Sequence, residues 1–260
     1  MTTLLRSICA FGLLVTLVTG CGGGDDGEGS SPRVEPCDVL RIAGGDSCDT
    51  APRAIAIVAT NSGYCTGTFI TRQHVLTAAH CFSSTRQRVV VGTTGYAEDA
   101  TRVVIHPSYN GDINSPFDVA VVTIPAPIDV SPVGIKLSQD ISNGDDVVIY
   151  GFGLDEDGQD VITRVREGGI ALKATKLRVV GVDAGTVLSQ SDGSGDTCQG
   201  DSGGALLFSG TNGQPGVVAL VRAGPPGCVP DPGRPSQNSN VQSAGVLNFV
   251  LAQAPGAGTN

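Results

Sequence analysis

Basic charge is scarce in this 260-residue chain: 16 lysines and arginines stand against 25 aspartates and glutamates, a formal net charge of −9. That balance excludes nucleic acid and anionic membrane surfaces as electrostatic partners. Charge of either sign is thin, at 16 %, while glycine reaches 37 residues, which argues against long charged helices and for many tight turns. No C-x-x-C pair occurs among the eight cysteines, so the usual zinc spacing is missing. The N-terminal apolar run, Ile8 to Val18, is too short to span a bilayer as a folded helix. No internal repeat and no tryptophan are present, and the length suits one large all-β domain or two small ones.

What the chain does have is organised around one serine. Gly195-Asp196-Thr197-Cys198-Gln199-Gly200-Asp201-Ser202-Gly203-Gly204 sets Ser202 in a glycine-walled turn, with one carboxylate just before it and another upstream. Small flanking residues let backbone N–H groups face an incoming oxygen, which a serine nucleophile needs along with an exposed hydroxyl. A serine alone is weak and requires a base and a group to orient that base. Thr77-Ala78-Ala79-His80-Cys81 offers a histidine among small residues. Phe117-Asp118-Val119-Ala120-Val121-Val122 offers an aspartate heading an apolar run that reads as a buried strand. Singly, each has a plain structural reading: a turn cap, a core histidine, a turn serine. Their joint occurrence in the order His80, Asp118, Ser202 argues for chemistry.

In that order these motifs resemble the trypsin-like serine proteases, and the likeness runs from Ile42 to Ala252. The resemblance implies an all-β fold of two six-stranded antiparallel β-barrels with a C-terminal helix and a catalytic cleft between the barrels. It implies that Ser202 attacks, that His80 takes and returns the proton, and that Asp118 fixes the imidazole tautomer. Gly200 and Ser202 N–H groups would form the oxyanion hole. Asp196 would sit at the base of the substrate pocket and pair with Arg or Lys before the scissile bond, with Gly224 on the pocket wall. Arg41-Ile42-Ala43-Gly44-Gly45 is similar to the family's activation site: cleavage after Arg41 would free the Ile42 α-amine to pair with Asp201. Arg41 itself suits such a pocket, so the precursor is expected to activate itself. Protein or peptide substrates, a monomer and no cofactor are expected.

One stretch departs from the family pattern. In Leu220 to Cys228, Arg222 and Ala223 stand where the family has serine and tryptophan, and Arg222 is placed to compete for Asp196. The next pocket glycine is expected at Gly233, or replaced by Asn240. This departure motivates a second reading, a catalytically impaired pseudoprotease acting as a surface binding lipoprotein. A third is an adhesin on a protease scaffold.

Short β-branched runs punctuated by Gly, Asn, Asp and Pro read as strands over Ile55 to Ala59, Arg88 to Val91, Arg102 to Ile105, Val119 to Ile124, Val147 to Tyr150, Leu177 to Val182, Ala205 to Phe208 and Val217 to Val221. Ser243 to Gln253 reads as the one helix, with Val246, Leu247, Phe249 and Val250 on its apolar face. Barrels are expected over about 42–130 and 131–242, exchanging near Pro125 to Ser138, with the helix over about 243–253.

The N-terminus reads as a targeting segment. Val18-Thr19-Gly20-Cys21 resembles the lipobox of bacterial lipoproteins. The resemblance implies a removed signal over 1–20, an acylated Cys21 held in a lipid bilayer, a flexible tether and activation segment over 21–41, and a protease domain over 42–260. The protein would be exported and anchored on the outer membrane or cell surface of a bacterium. Six cysteines follow Cys21, and an oxidising compartment allows fifteen pairings among them. The family resemblance implies Cys65–Cys81 and Cys198–Cys228, leaving Cys37–Cys48. His74 and His106 lack metal-ligand spacing, and His106 is similar to a family surface loop. Asp155, Glu156, Asp157 and Asp160 are read as a solvated loop rather than a calcium site.

Overall fold

The computed structural model describes residues 54–60, 63–93, 96–153, 172–191, 193 and 195–260. Cys21, Cys37, Arg41, Ile42, Cys48 and the acidic cluster from Asp155 to Asp160 lie outside the described residues.

The first half forms an antiparallel sheet of β1 (Ile55–Thr60), β2 (Gly63–Phe69), β3 (His74–Thr77), β4 (Val89–Thr93), β5 (Tyr96–Asp99), β6 (Arg102–Ile105) and β7 (Ala120–Thr123). The strand order is β5-β4-β1-β2-β3-β7-β6. The two edges, β5 and β6, are separated in the chain only by Ala100 and Thr101. Ala100 N–H donates to Val89 O beside one edge, and Thr101 N–H donates to Thr123 O beside the other. The sheet therefore curls until covalent continuity joins its edges. Counted as one bent strand, β5 and β6 turn the seven strands into the expected six.

The second half is a closed barrel of β8 (Asp146–Gly151), β9 (Lys173–Val182), β10 (Thr186–Gln190), β11 (Ala205–Phe208), β12 (Gly216–Ala223) and β13 (Ser236–Asn240), in the order β10-β13-β12-β11-β8-β9. Closure leaves no open edge. Where one face is wet, the sequence alternates: Val89, Val91 and Thr93 point inward along β4 while Val90 and Gly92 are half-buried. Each half has its own apolar cluster, and a third spans both, with Ile57, Leu76 and Val121 packed in one body with Tyr150, Val217 and Leu220. The helix α1 (Ala244–Gln253) closes this shared core with Val246, Phe249 and Val250, while Leu247 packs from a half-buried position. Among the described residues no helix is long and apolar enough to cross a membrane.

Several strands differ from the sequence reading: β2, β5, β10 and β13 have no counterpart among the runs named from sequence, and other strands shift their ends. β9 starts at Lys173 rather than Leu177, and β12 continues to Ala223. β13, Ser-Gln-Asn-Ser-Asn, carries no apolar residue and is a strand because β10 and β12 pair with it on both sides. His106 is not on the surface as expected. It is buried, its ring stacked on Phe117 at 4.7 Å and tilted against Phe249 at 4.8 Å.

Two disulfides brace the site regions. Cys65–Cys81 ties β2 to the 3-10 turn Ala79–Cys81, and Cys198–Cys228 joins the loop before Ser202 to the segment after β12. Cys65 and Cys81 are 16 residues apart, a loop for which cross-linking contributes roughly 3 kcal/mol through the unfolded chain. The double variant Cys65→Ala/Cys81→Ala should lose about 2–4 kcal/mol in urea unfolding, and an unchanged midpoint would contradict that.

Candidate active site

His80 sits on the single 3-10 turn that ends β3, and Asp118 lies just before β7, the neighbour of β3 in the sheet. Pairing of those two strands brings the residues together. His80 Nδ1 donates to Asp118 Oδ2 at 2.6 Å, and the His80 backbone N–H donates to Asp118 Oδ1 at 2.7 Å. A carboxylate only accepts, so this contact puts the proton on Nδ1 and leaves Nε2 as the accepting nitrogen. Asp118 is wholly shielded from solvent, while the imidazole keeps 19 % of its side-chain surface. Among the described residues the one grouping of metal-ligating types is Cys65, His80 and Cys81, and there the two sulfurs are bonded to each other.

The loop bearing Ser202 is held against this region by the first sheet. Thr66 on β2 donates its N–H to Ser202 O at 2.9 Å and its hydroxyl to Gly200 O at 2.8 Å, and its Oγ1 accepts the Phe152 N–H at 3.1 Å. One β2 residue thus binds two segments of the second barrel. Gly203 has φ +79 and lies so close to Thr77 and Ala78 that a Cβ there would overlap both. Ser202, which is partly exposed, therefore shares a seam with the turn carrying His80. Asp201, Gly203 and Gly204 donate their N–H groups to Cys198 O, Val221 O and Asp201 O. Among the described residues the intervening N–H groups of Gly200 and Ser202 donate to no protein acceptor.

Asp201 faces away from solvent entirely. Its Oδ1 accepts the Gly153 N–H at 2.8 Å and its Oδ2 the Cys198 N–H at 2.9 Å. The carboxylate occupies space that a side chain at Gly151 or Gly153 would need. Burial pushes its pKa up to about 7, opposed by the Cys198 and Gly153 hydrogen bonds and the Lys173 charge, and reinforced by Asp196.

Asp196, 1 % exposed, lies on the loop between β10 and β11. Its Oδ1 accepts the Thr197 N–H at 2.7 Å and the Ser236 hydroxyl at 2.7 Å, while among the described residues its Oδ2 accepts only a long bond, 3.4 Å, from Ser191 N–H. The facing strand end approaches closely: a Cβ on Gly224 would strike Thr197. Three expectations here are corrected. Gly233 lies in an exposed turn, its N–H on Asp231 Oδ1. Asn240 donates to Asp183 O. The residue that reaches Asp196 is Ser236, which no sequence signal marked because β13 has no apolar pattern. Arg222 does not reach Asp196 either. It is 2 % exposed, and its Nη2 donates to Gln237 Oε1 at 3.1 Å and Thr186 Oγ1 at 3.4 Å. Among the described residues its Nε and Nη1 have no hydrogen-bond partner. Burial lowers its pKa, against the opposing charges of Asp118, Asp183 and Asp112.

A curled six-strand-equivalent sheet facing a closed barrel, with a histidine–carboxylate pair and a glycine-walled serine at their seam, defines a protein of the chymotrypsin fold. The family model described as Trypsin matches residues 42–244, and the chain belongs to that family and is a serine endopeptidase. It is 28 % identical over 214 residues to "Trypsin" of Saccharopolyspora erythraea, covering 70 % of this chain and 94 % of that protein. It is 33 % identical over 177 residues to "Brachyurin" of Leptuca pugilator, covering 61 % and 77 %. With "Serine protease 1" of Canis lupus familiaris it shares 27 % identity over 214 residues, covering 73 % and 85 %.

The raised Asp201 pKa has a defined sign for stability. Between the unfolded carboxyl value near 4 and the folded value of about 7, the folded state holds a proton that the unfolded chain has released. Its contribution therefore falls as pH rises through that window and levels off above it. In an uncleaved Ser202→Ala chain, which cannot digest itself, adding Asp201→Asn should flatten this part of the pH dependence of the urea midpoint. Identical slopes with and without Asp201→Asn would contradict the assignment.

Proposed function

We propose that this chain is an exported, lipid-anchored endopeptidase that cuts after Lys or Arg by a Ser202–His80–Asp118 mechanism and is made as a precursor activated by cleavage after Arg41. Ser202 Oγ attacks the scissile carbonyl as His80 Nε2 takes its proton. Asp118 holds the tautomer and stabilises the imidazolium that forms, and the Gly200 and Ser202 N–H groups receive the oxyanion. His80 then protonates the leaving amine, and water hydrolyses the acyl-enzyme by the same route. The observation that carries this reading is the short His80–Asp118 hydrogen bond beside a serine loop with two N–H groups that find no acceptor among the described residues. Acylation of Cys21, the Ile42–Asp201 pair and the Cys37–Cys48 link belong to the same proposal and rest on sequence resemblance. In it the disulfide keeps the cleaved enzyme joined to its lipidated tether.

A fluorophosphonate probe and Lys and Arg peptide substrates test the mechanism together. Wild-type protein should label and cleave, Ser202→Ala should do neither, and Asp118→Asn should lower kcat by roughly 10⁴-fold. Wild-type preparations should accumulate an Ile42 N-terminus and membrane-bound activity that reductant releases, while purified Ser202→Ala stays uncut. A wild-type protein that folds yet neither labels nor cleaves would favour the pseudoprotease.

The pocket floor favours an ammonium. A guanidinium fork pairs best with two open carboxylate oxygens, whereas an ammonium is a point donor. At Asp196, Oδ1 already holds two donors, while among the described residues Oδ2 receives one long bond. Lys substrates should therefore be cut in preference to Arg. Ser236→Gly should raise the Arg/Lys ratio of kcat/KM by roughly tenfold, the value of one hydrogen bond to a charged group, and a ratio that stays put would refute this role for Ser236.

A further inference from the structure

The Gly200 N–H has no acceptor among the described residues, so its direction is set by what holds the peptides on either side of it. The peptide after Gly200 is fixed at both ends: Gly200 O accepts the Thr66 hydroxyl at 2.8 Å, and Asp201 N–H donates to Cys198 O at 3.0 Å. The peptide before it, Gln199–Gly200, carries the N–H itself. A flip of that peptide turns the N–H out of the hole and the Gln199 carbonyl in. Glycine, here at φ +95, has no side chain of its own to oppose such a rotation. Tyr64 provides the missing bulk. A Cβ on Gly200 would lie 2.6 Å from Tyr64 Cε2, 2.9 Å from its Oη and 3.0 Å from its Cζ, so the edge of the phenol ring stands where a side chain of residue 200 would stand. Tyr64 and Thr66 are two residues apart on β2 and project from the same face of the strand. Both are backed by other groups. Tyr64 packs half-buried against the shared apolar core, and Thr66 is wholly buried, its Oγ1 also accepting the Phe152 N–H at 3.1 Å.

We propose that Tyr64 and Thr66 form a clamp that keeps the Gly200 N–H aimed at the oxyanion, Thr66 by gripping the Gly200 carbonyl and Tyr64 by blocking rotation beside its Cα. The inference rests on the reading of Ser202 as the nucleophile and of Gly200 as an oxyanion donor. Both side chains act through Gly200, so they are positioning residues. Negative charge on the substrate oxygen develops only as Ser202 attacks. A misaimed donor therefore costs the transition state and leaves ground-state binding alone. In Tyr64 the ring is the working part, and in Thr66 it is the hydroxyl. Phenylalanine should serve in place of Tyr64, and serine in place of Thr66. The clamp also links donor to base: β2 is the sheet neighbour of β3, which ends in the turn bearing His80.

The test uses the full-length protein and two ligands of the same peptide sequence. One is a peptide aldehyde ending in the lysine analogue, which Ser202 converts to a hemiacetal with its oxygen in the hole. The other is the matching peptide alcohol, which cannot be attacked. Tyr64→Ala and Thr66→Val should each weaken aldehyde binding roughly tenfold or more, short of the ~10²–10³ in rate that outright loss of a donor costs. Alcohol binding should stay as in wild type, which also shows that the variants fold. Substrate kinetics should show kcat falling with KM unchanged. Tyr64→Phe and Thr66→Ser should match wild type in every measurement. The proposal is overturned if aldehyde affinity and kcat do not move, if the alcohol weakens as much as the aldehyde, or if the conservative variants are as impaired as Tyr64→Ala and Thr66→Val. If wild type neither labels with the fluorophosphonate nor binds the aldehyde more tightly than the alcohol, the nucleophile reading fails first and this inference falls with it.

Discussion

A carboxylate without access to water, on the residue before Ser202, constrains everything around it. Burying an ion costs several kcal/mol unless hydrogen bonds and an opposite charge offset it. The surroundings of Asp201 are arranged for that offset. Two backbone N–H groups converge on it, and two glycines on β8 and just after it give it room. The loop from Cys198 to Gly204 inherits its shape from this anchoring. Asp201 donates its own N–H to Cys198 O and accepts one from Gly204, so its side chain and its backbone close the same short turn.

The two halves of the molecule share this loop. Thr66, a fully buried polar residue on β2, ties the seam together: its N–H, hydroxyl and Oγ1 bond to Ser202, Gly200 and Phe152 of the second barrel, while its carbonyl accepts the Thr77 hydroxyl from the first sheet. The tight approach of Gly203 to Thr77 adds a steric lock to that polar one. Neither half can move far along the seam without breaking hydrogen bonds in a dry environment, where an unmade one is most costly. The shared apolar cluster beneath it makes the pair one folding unit rather than two beads.

The sequence disclosed those parts of the design whose physics is local. Runs such as Ala205–Phe208 and Arg102–Ile105 are strands by residue type, and the glycine-walled serine declares itself by composition. What escaped is set by register. Lys173 faces Gly151 only because β8 and β9 pair as they do, and nothing in the segment around residue 173 announces a partner twenty-two positions back. Ser236 lies on a strand of Ser, Asn and Gln whose two neighbours, β10 and β12, define it from outside. Arg222 reads from sequence as a competitor for Asp196. It is instead folded under the strand with Gln237 and Thr186, in a barrel that leaves it no solvent.

The buried ring of His106 is wedged between Phe117, the residue before Asp118, and Phe249 of the terminal helix. Its Nδ1 accepts the Ser108 N–H and its Nε2 lies 3.4 Å from Gly245 O, so the sandwich is pinned in orientation as well as stacked. The terminal helix is thereby packed, through one buried ring, against the residue next to the aspartate. The tail of the molecule thus braces, through one stacked and one tilted ring contact, the segment whose next residue is the carboxylate bonded to the imidazole.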